Sequence, residues 1–352
     1  MRRISRCLFA VVAAVPLSGC VMPFPGYDGG SRDWASDELP DYASLVEGAP
    51  ACKAWRLVCE GEWNVQGGPQ DLSGLTFCGS PEKCIGVGDS NGVLGRYLFR
   101  CERGLTDVWH LRNVAEKTLA GRTDLEAVAF DPLRHTVYVA DEADGSVREY
   151  DPDTGRELQR LPDPFPPNQL RGNGGLESLA VSGDGLRMWA ASETPLLADG
   201  DVSNAGTGGV VRIVLFGRGH GFDAWKKKGE WLYQCDPVAG KSFRGVATSG
   251  VSELVELPDR TLLVLEREMS RTPMPRFRTR IYRVRPLGAK RVSEHGGPLE
   301  KQLLFEASPR RSNYEGMALA EADGKGRRLL VLTADGDGAC AATFMVLGLL
   351  ER

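Results

Sequence analysis

Five times along the chain a short apolar segment opens on one pattern, and a second apolar segment follows that usually ends in an acid. The openings are Leu72-Ser73-Gly74-Leu75-Thr76, Leu125-Glu126-Ala127-Val128-Ala129, Leu176-Glu177-Ser178-Leu179-Ala180, Val251-Ser252-Glu253-Leu254-Val255 and Tyr314-Glu315-Gly316-Met317-Ala318. The second segments end at Asp89, Asp141-Glu142, Glu193, Glu266 and Asp335. A strand pair repeated at intervals of tens of residues means one supersecondary unit used several times, in a ring or a stack.

The second copy shows the unit most clearly. Leu125–Phe130 runs to the turn Asp131-Pro132, and Thr136-Val137-Tyr138-Val139-Ala140 returns, rich in β-branched and aromatic residues. Asp144-Gly145 turns into Ser146–Tyr150, and Asp153-Thr154-Gly155 turns into Glu157–Leu161. Four short antiparallel strands in about forty residues outline one propeller blade. The copies step by 53, 51, 75 and 63 residues, so the longer steps hold insertions, at 196–209 and 216–231. The last copy shows three strands, and Ala54-Trp55-Arg56-Leu57-Val58 is expected to supply the fourth and close the ring. The expected fold is therefore an all-β propeller of five four-stranded blades, with six as the alternative if residues 216–248 form a blade of their own.

In such a blade the first strand leaves one face of the ring beside the central channel, and the second strand returns to that face. The topology places Glu126, Asp141, Glu142, Glu177, Glu193, Glu266, Glu315 and Asp335 around one channel mouth, with Ser73, Asp89 and Ser252 completing the circle. Carboxylates so crowded raise one another's pKa and need cations, arginines or protons to offset them. Calcium suits an all-oxygen ligand set; Arg122, Arg171, Arg267, Arg280 and Arg311, beside the motif strands, are the competing counter-ions. Asp199-Gly200-Asp201 and Asp335-Gly336-Asp337 have the composition of calcium loops, although Asp-Gly pairs are first of all turn formers.

Other chemistries find little support. Gly88-Asp89-Ser90-Asn91-Gly92 fits the G-x-S-x-G pattern, but it joins strand to strand, where a nucleophile elbow joins strand to helix. His110, His135, His220 and His295 stand apart, which argues against zinc. No glycine-rich phosphate loop precedes a helix.

The N-terminus carries an address. Arg2, Arg3 and Arg6 precede a short apolar run ending in Leu17-Ser18-Gly19-Cys20, which resembles the lipobox of bacterial lipoproteins. That resemblance implies a signal peptide over 1–19, a lipidated Cys20, and anchorage to the cell envelope at the outer membrane, on its periplasmic side or at the surface. Residues 20–50 are expected to be a Pro-, Gly-, Ser- and Asp-rich tether, and 51–352 the propeller. The leader holds three of the 43 basic residues and no acid, so the mature chain has 40 basic against 47 acidic residues, a net charge of −7. Nucleic acid is thereby disfavoured as a partner. No later stretch is long and apolar enough for a membrane-spanning helix. The lipid is the only membrane contact expected, and a monomer the expected state. Seven cysteines remain beyond Cys7 and Cys20, in an oxidising compartment that favours disulfides. Cys78 with Cys84 would clip one hairpin, and Cys59 with Cys340 would lock the ring closure.

The conjunction of Asn173-Gly174-Gly175-Leu176-Glu177-Ser178-Leu179-Ala180, Glu193-Thr194-Pro195-Leu196 with Asp199-Gly200, Val251-Ser252-Glu253-Leu254 with Leu265-Glu266-Arg267, and Asn313-Tyr314-Glu315-Gly316-Met317 resembles the bacterial phytase-like family, also called esterase-like activity of phytase. The resemblance covers about residues 66–350. It implies an exported propeller and, by analogy with calcium-dependent propeller phytases, hydrolysis of a small anionic or phosphorylated substrate with calcium offsetting phosphate charge and activating water. On that analogy Glu126, Glu177, Glu193, Glu266, Glu315 and Asp335 would be ligands or bases, with Glu315 and Glu177 closest to the chemistry and Arg171 or Arg280 a phosphate clamp. Ser73 and Ser252 stand where other copies carry Glu, which lowers the charge of the ring. A propeller that holds a ligand or envelope partner without turnover is the second expectation.

Overall fold

Each copy of the repeat folds into one antiparallel sheet of four strands. The structure, a computed structural model, describes residues 51–351 apart from 52, 69–70, 91, 105–106, 173, 242–246, 272–273, 321–327 and 336–341, and of Asp335 only the backbone. Strand β1 (Trp55–Asn64) comes first. Blade 1 follows as β2 (Gly74–Phe77), β3 (Lys83–Val87), β4 (Val93–Glu102) and β5 (Val108–Thr118). Blade 2 is β6 (Leu125–Asp131), β7 (Thr136–Asp141), β8 (Ser146–Tyr150) and β9 (Glu157–Arg160); blade 3 is β10 (Leu176–Val181), β11 (Arg187–Ser192), β12 (Val210–Gly217) and β13 (Lys226–Gln234). Blade 4 is β14 (Thr248–Glu256), β15 (Leu262–Arg271), β16 (Pro275–Val284) and β17 (Lys301–Arg310). Blade 5 is β18 (Asn313–Ala320), β19 (Arg328–Asp335), β20 (Thr343–Glu351) and, outermost, β1, which supplies the expected closing strand. The first strands β2, β6, β10, β14 and β18 neighbour one another in that order, and β18 meets β2 again. The ring is five-bladed. Residues 216–234, candidates for part of a sixth blade, instead end β12 and form β13.

The packing shows why the inner strands of each blade have no polar face. Five apolar clusters among the described residues each lie between two consecutive blades, the junction of blades 5 and 1 included. Successive residues of a strand point to opposite sides of its sheet. On β15, Leu262 and Val264 join the core shared with blade 3, whereas Leu263 and Leu265 join the core shared with blade 5. On β19, Leu329 and Val331 serve blade 1, while Leu330 and Leu332 serve blade 4. Both faces are buried, so apolar residues run continuously along the strands.

Closure is also held by polar contacts on the face opposite the acid-bearing strand ends. The carboxylate of Asp259, in the β14–β15 turn, accepts hydrogen bonds from Lys53 N at 3.0 Å, Trp55 Nε1 at 3.1 Å and the Arg283 guanidinium at 2.9 Å. These bonds tie the start of β1 to blade 4, although β1 pairs only with blade 5.

The Cys78–Cys84 bridge expected from spacing does not form; both are free thiols. Cys84 lies opposite Phe77 in the hairpin and points into the core between blades 5 and 1. Cys78, one residue along from Phe77, packs on the core between blades 1 and 2. The pleat sends the two side chains to opposite sides of the sheet. Cys340, the partner expected for Cys59, and Cys20 with the whole of 1–50 lie outside the described residues.

Candidate functional site

In four blades the second motif residue is an extra one, bulged out of the pairing between the first two strands. Leu125 lies opposite Asp141 and Ala127 opposite Ala140, which leaves Glu126 between them. The same shift isolates Glu177, Ser252 and Glu315. A β-bulge re-aims the side chain it carries. Here it gives one ring of bulged residues at the channel mouth, with Ser73, just before β2, completing the circle. Ser73 and Ser252 are buried, and neither hydroxyl has a hydrogen-bond partner among the described residues.

A second ring follows from strand parity. One residue beyond the partner of each motif's first residue stand Glu142, Glu193, Arg267 and Asp335, and Asp89 holds the corresponding place in blade 1. Glu142 leans to blade 3, where its Oε1 accepts the backbone N–H groups of Gly174 and Gly175, both at 2.6 Å. Glu193 leans to blade 4, and a Cβ at Gly250 would lie 2.7 Å from the Glu193 Cγ. Glycine at Gly175 and Gly250 is what lets the preceding blade's glutamate approach so closely. The same column in blades 1 and 2 carries Asp71 and Asp124.

Parity also settles which of two adjacent charged residues faces the mouth. Glu266 faces blade 3, like Val264 before it. Its carboxylate accepts from the Tyr233 hydroxyl, Asp236 N (3.0 Å) and Lys301 Nζ (2.6 Å). Arg267 takes the ring position in blade 4. Asp141 is paired with Arg122 at 3.0 Å and, more loosely, Arg148 at 3.8 Å. Arg171 donates to the backbone carbonyls of Pro195 (3.0 Å) and Gly200 (2.6 Å) and so staples a loop. Arg280, on β16, is taken by Glu268 and Glu306. Arg311 donates to Met274 Sδ at 2.9 Å. Asp199 forms a two-pronged pair with Arg212, both contacts 2.6 Å, and the residues after Asp335 lie outside the described set. Ser90 sits in the turn from β3 to β4, where its hydroxyl donates to Asp71.

What converges with no guanidinium in its midst among the described residues is Asp124, Glu126 and Glu142. One carboxylate oxygen from each lies within 4.8 Å of the others, and Glu142 N donates to the Asp124 carbonyl at 2.9 Å. The electrostatics match this crowding. Burial, then Glu315, Glu142, Asp89 and Asp124, push the Glu126 carboxyl up to about 9. Glu177 is driven well above the carboxylate range by burial, with Glu126 and Glu193 adding to it. Asp89 rises to about 6 through burial, Glu315, Asp71 and Asp124. Burial also raises Glu142, and the amides of Gly175 and Gly174 partly restrain it. Without a bound cation this sector holds protons at neutral pH.

Asp124 was not among the sequence candidates. The available signal is the Asp-x-Glu of Asp124-Leu125-Glu126, echoed by Asp71-Leu72-Ser73. Whether its two acids converge depends on the bulge, which sequence does not display.

Residues 69–338 match the family model of phytase-like proteins, described as esterase-like activity of phytase. The chain belongs to that family. A search of curated protein sequences gives no match for this phytase-like chain. Among solved structures it is similar to a gluconolactonase of Xanthomonas campestris, at 10% identity over 85% of this chain and 96% of that one, TM-score 0.37. It is similar also to the periplasmic gluconolactonase of Pseudomonas aeruginosa, at 15% identity over 82% and 94%, TM-score 0.35. A third is the PQQ-bound aldose sugar dehydrogenase of Streptomyces coelicolor, at 13% identity over 86% and 100%, TM-score 0.39. Likenesses this distant assign no residue a role in the phytase-like chain.

Proposed function

We propose that the acidic mouth is the centre of a calcium-assisted hydrolase of phosphoesters or related esters, carried by a lipid-anchored propeller. The observation that carries the reading is the meeting of Asp124, Glu126 and Glu142 carboxylate oxygens within 4.8 Å. The donor set fits calcium: it is all oxygen, and Glu142 is held in place by two backbone amides. The hydroxyls of Ser73 and Ser252, buried in the same ring and without a hydrogen-bond partner among the described residues, are further oxygen donors. When bound there, calcium would supply a Lewis acid for an anionic or carbonyl oxygen and offset the charge of the acids.

The chain's own residues divide the remaining work. Glu177, buried and protonated, is the proton donor for a leaving oxygen. Glu315 accepts from Arg267 and from Asn313 Nδ2, so its carboxylate is fixed in direction. Arg171 would have to release Pro195 or Gly200 before clamping a phosphate, so the reading does not depend on it. β1 starts on the face opposite the mouth, at Trp55 beside Asp259.

The test uses 4-nitrophenyl phosphate and 4-nitrophenyl acetate, with calcium or with chelator. Release that chelator removes and added calcium restores is the expected result. Calcium binding with no release from either ester favours the non-catalytic ligand-holding propeller. Neither binding nor release overturns the reading.

A further inference from the structure

We propose that Arg267 is a built-in cation standing in for a second metal ion, so that the mouth takes one divalent ion, on the side of blades 1 to 3. The inference rests on reading Asp124, Glu126 and Glu142 as a cation site, and deepens it. In the second ring, four blades carry an acid (Asp89, Glu142, Glu193, Asp335) and blade 4 alone carries a base. That base reaches both neighbours. One Arg267 nitrogen pairs with Glu193 of blade 3, and another pairs with Glu315 of blade 5 and donates to Asn313 Oδ1 at 3.3 Å. Glu177 also lies within its field.

Two carboxylates buried close together repel unless a positive charge sits between them. A guanidinium does this permanently, because its rigid fork binds two carboxylates at once and keeps its proton. Among the described residues the opposite sector has no such group. Arg122, in the link from β5 to β6, is spent on Asp141 and Asp144. Asp89, Asp124, Glu126 and Glu142 are left to protons or to an ion. The mouth is thus divided into an arginine-neutralised half and a half open to a metal, and Arg267 is a positioning residue that fixes Glu193 and Glu315.

Calorimetric titration of the full chain with calcium reads this out without any substrate. Wild type is expected to bind one ion. Arg267→Gln is expected to bind two, with a larger calcium-dependent rise in Tm, and Arg267→Lys, which keeps the charge, to remain at one. Two ions on wild type, or a folded Arg267→Gln that binds no more ions than wild type, overturns the proposal. If Arg267→Gln folds only in calcium, that dependence is itself the expected outcome; if it folds in neither condition, the wild-type stoichiometry decides. The two readings fail separately. No ion on wild type but one on Arg267→Gln removes the Asp124–Glu126–Glu142 site and keeps this inference; one ion on both does the reverse.

Discussion

Glu126→Gln is expected to abolish calcium binding at the mouth and, with it, chelator-sensitive turnover. The substitution keeps shape but removes the bulged, buried carboxylate at the centre of the Asp124–Glu126–Glu142 group. Losing even a group that supports a metal ligand costs about 10–100-fold in affinity, so losing this ligand should cost at least about 100-fold. The pH dependence of stability checks the same residue independently. In the fold its carboxyl is raised to about 9 from the 4.5 of a free glutamate, chiefly by burial. Folding without calcium therefore favours the protonated form, and its contribution is full below about pH 4.5 and lost as pH rises to about 9. The Tm of the calcium-free protein should fall over that window. Each tenfold change in proton affinity is worth about 1.4 kcal/mol, so the fall is on the order of 10 °C. Glu126→Gln should flatten it, and saturating calcium should flatten it in wild type. Identical pH profiles for wild type and Glu126→Gln would remove Glu126 from the account.

The largest loss of stability is expected far from the mouth, at Arg218. Its side chain and that of Asp131 are both fully buried, paired by two contacts at 2.7 and 2.8 Å. Arg218 also donates to the carbonyls of Gly185 and Gly221 and lies 4.3 Å from the Trp225 ring centre. It belongs to blade 3 and Asp131 to blade 2, so the pair crosses a junction. Arg218→Ala leaves a buried carboxylate whose remaining partners are the Tyr138 hydroxyl and the N–H groups of Leu133 and Arg134. Breaking a buried pair in this way costs about 3–5 kcal/mol, a fall in Tm on the order of 10 °C. Arg218→Met with Asp131→Leu should recover part of the loss, since an apolar pair carries no stranded charge. Denaturant unfolding of the single and double variants measures it, and additive losses would contradict the description.

The ring was legible because its determinants are local and repeated. Each copy brings its own apolar opening and turn signals, and Trp55–Val58 is an apolar strand lacking a partner nearby in sequence. The gathering of acids from several blades was legible for the same reason. Which acids meet was not. A blade buried on both faces has no polar side, so nothing in the pattern fixes the phase of β7 or β15. Asp141 and Glu142 look interchangeable in sequence, as do Glu266 and Arg267 as residues of the mouth. One step along the strand sends Glu266 to Lys301 and Arg267 to Glu193 and Glu315. The bulges were hidden as well, because an extra residue becomes visible only against its partner strand. The Cys78–Cys84 spacing misled for a related reason: five intervening residues suit a hairpin clip, but the pleat sends the thiols to opposite cores.

The most direct test of the account is an anomalous difference map from crystals of the protein grown with a lanthanide in place of calcium. One strong peak is expected at the mouth, bounded by Asp124, Glu126 and Glu142, and none between Glu193 and Glu315 where Arg267 lies. A mouth without density at that position, or an ion bound instead on another face of the ring, would contradict it.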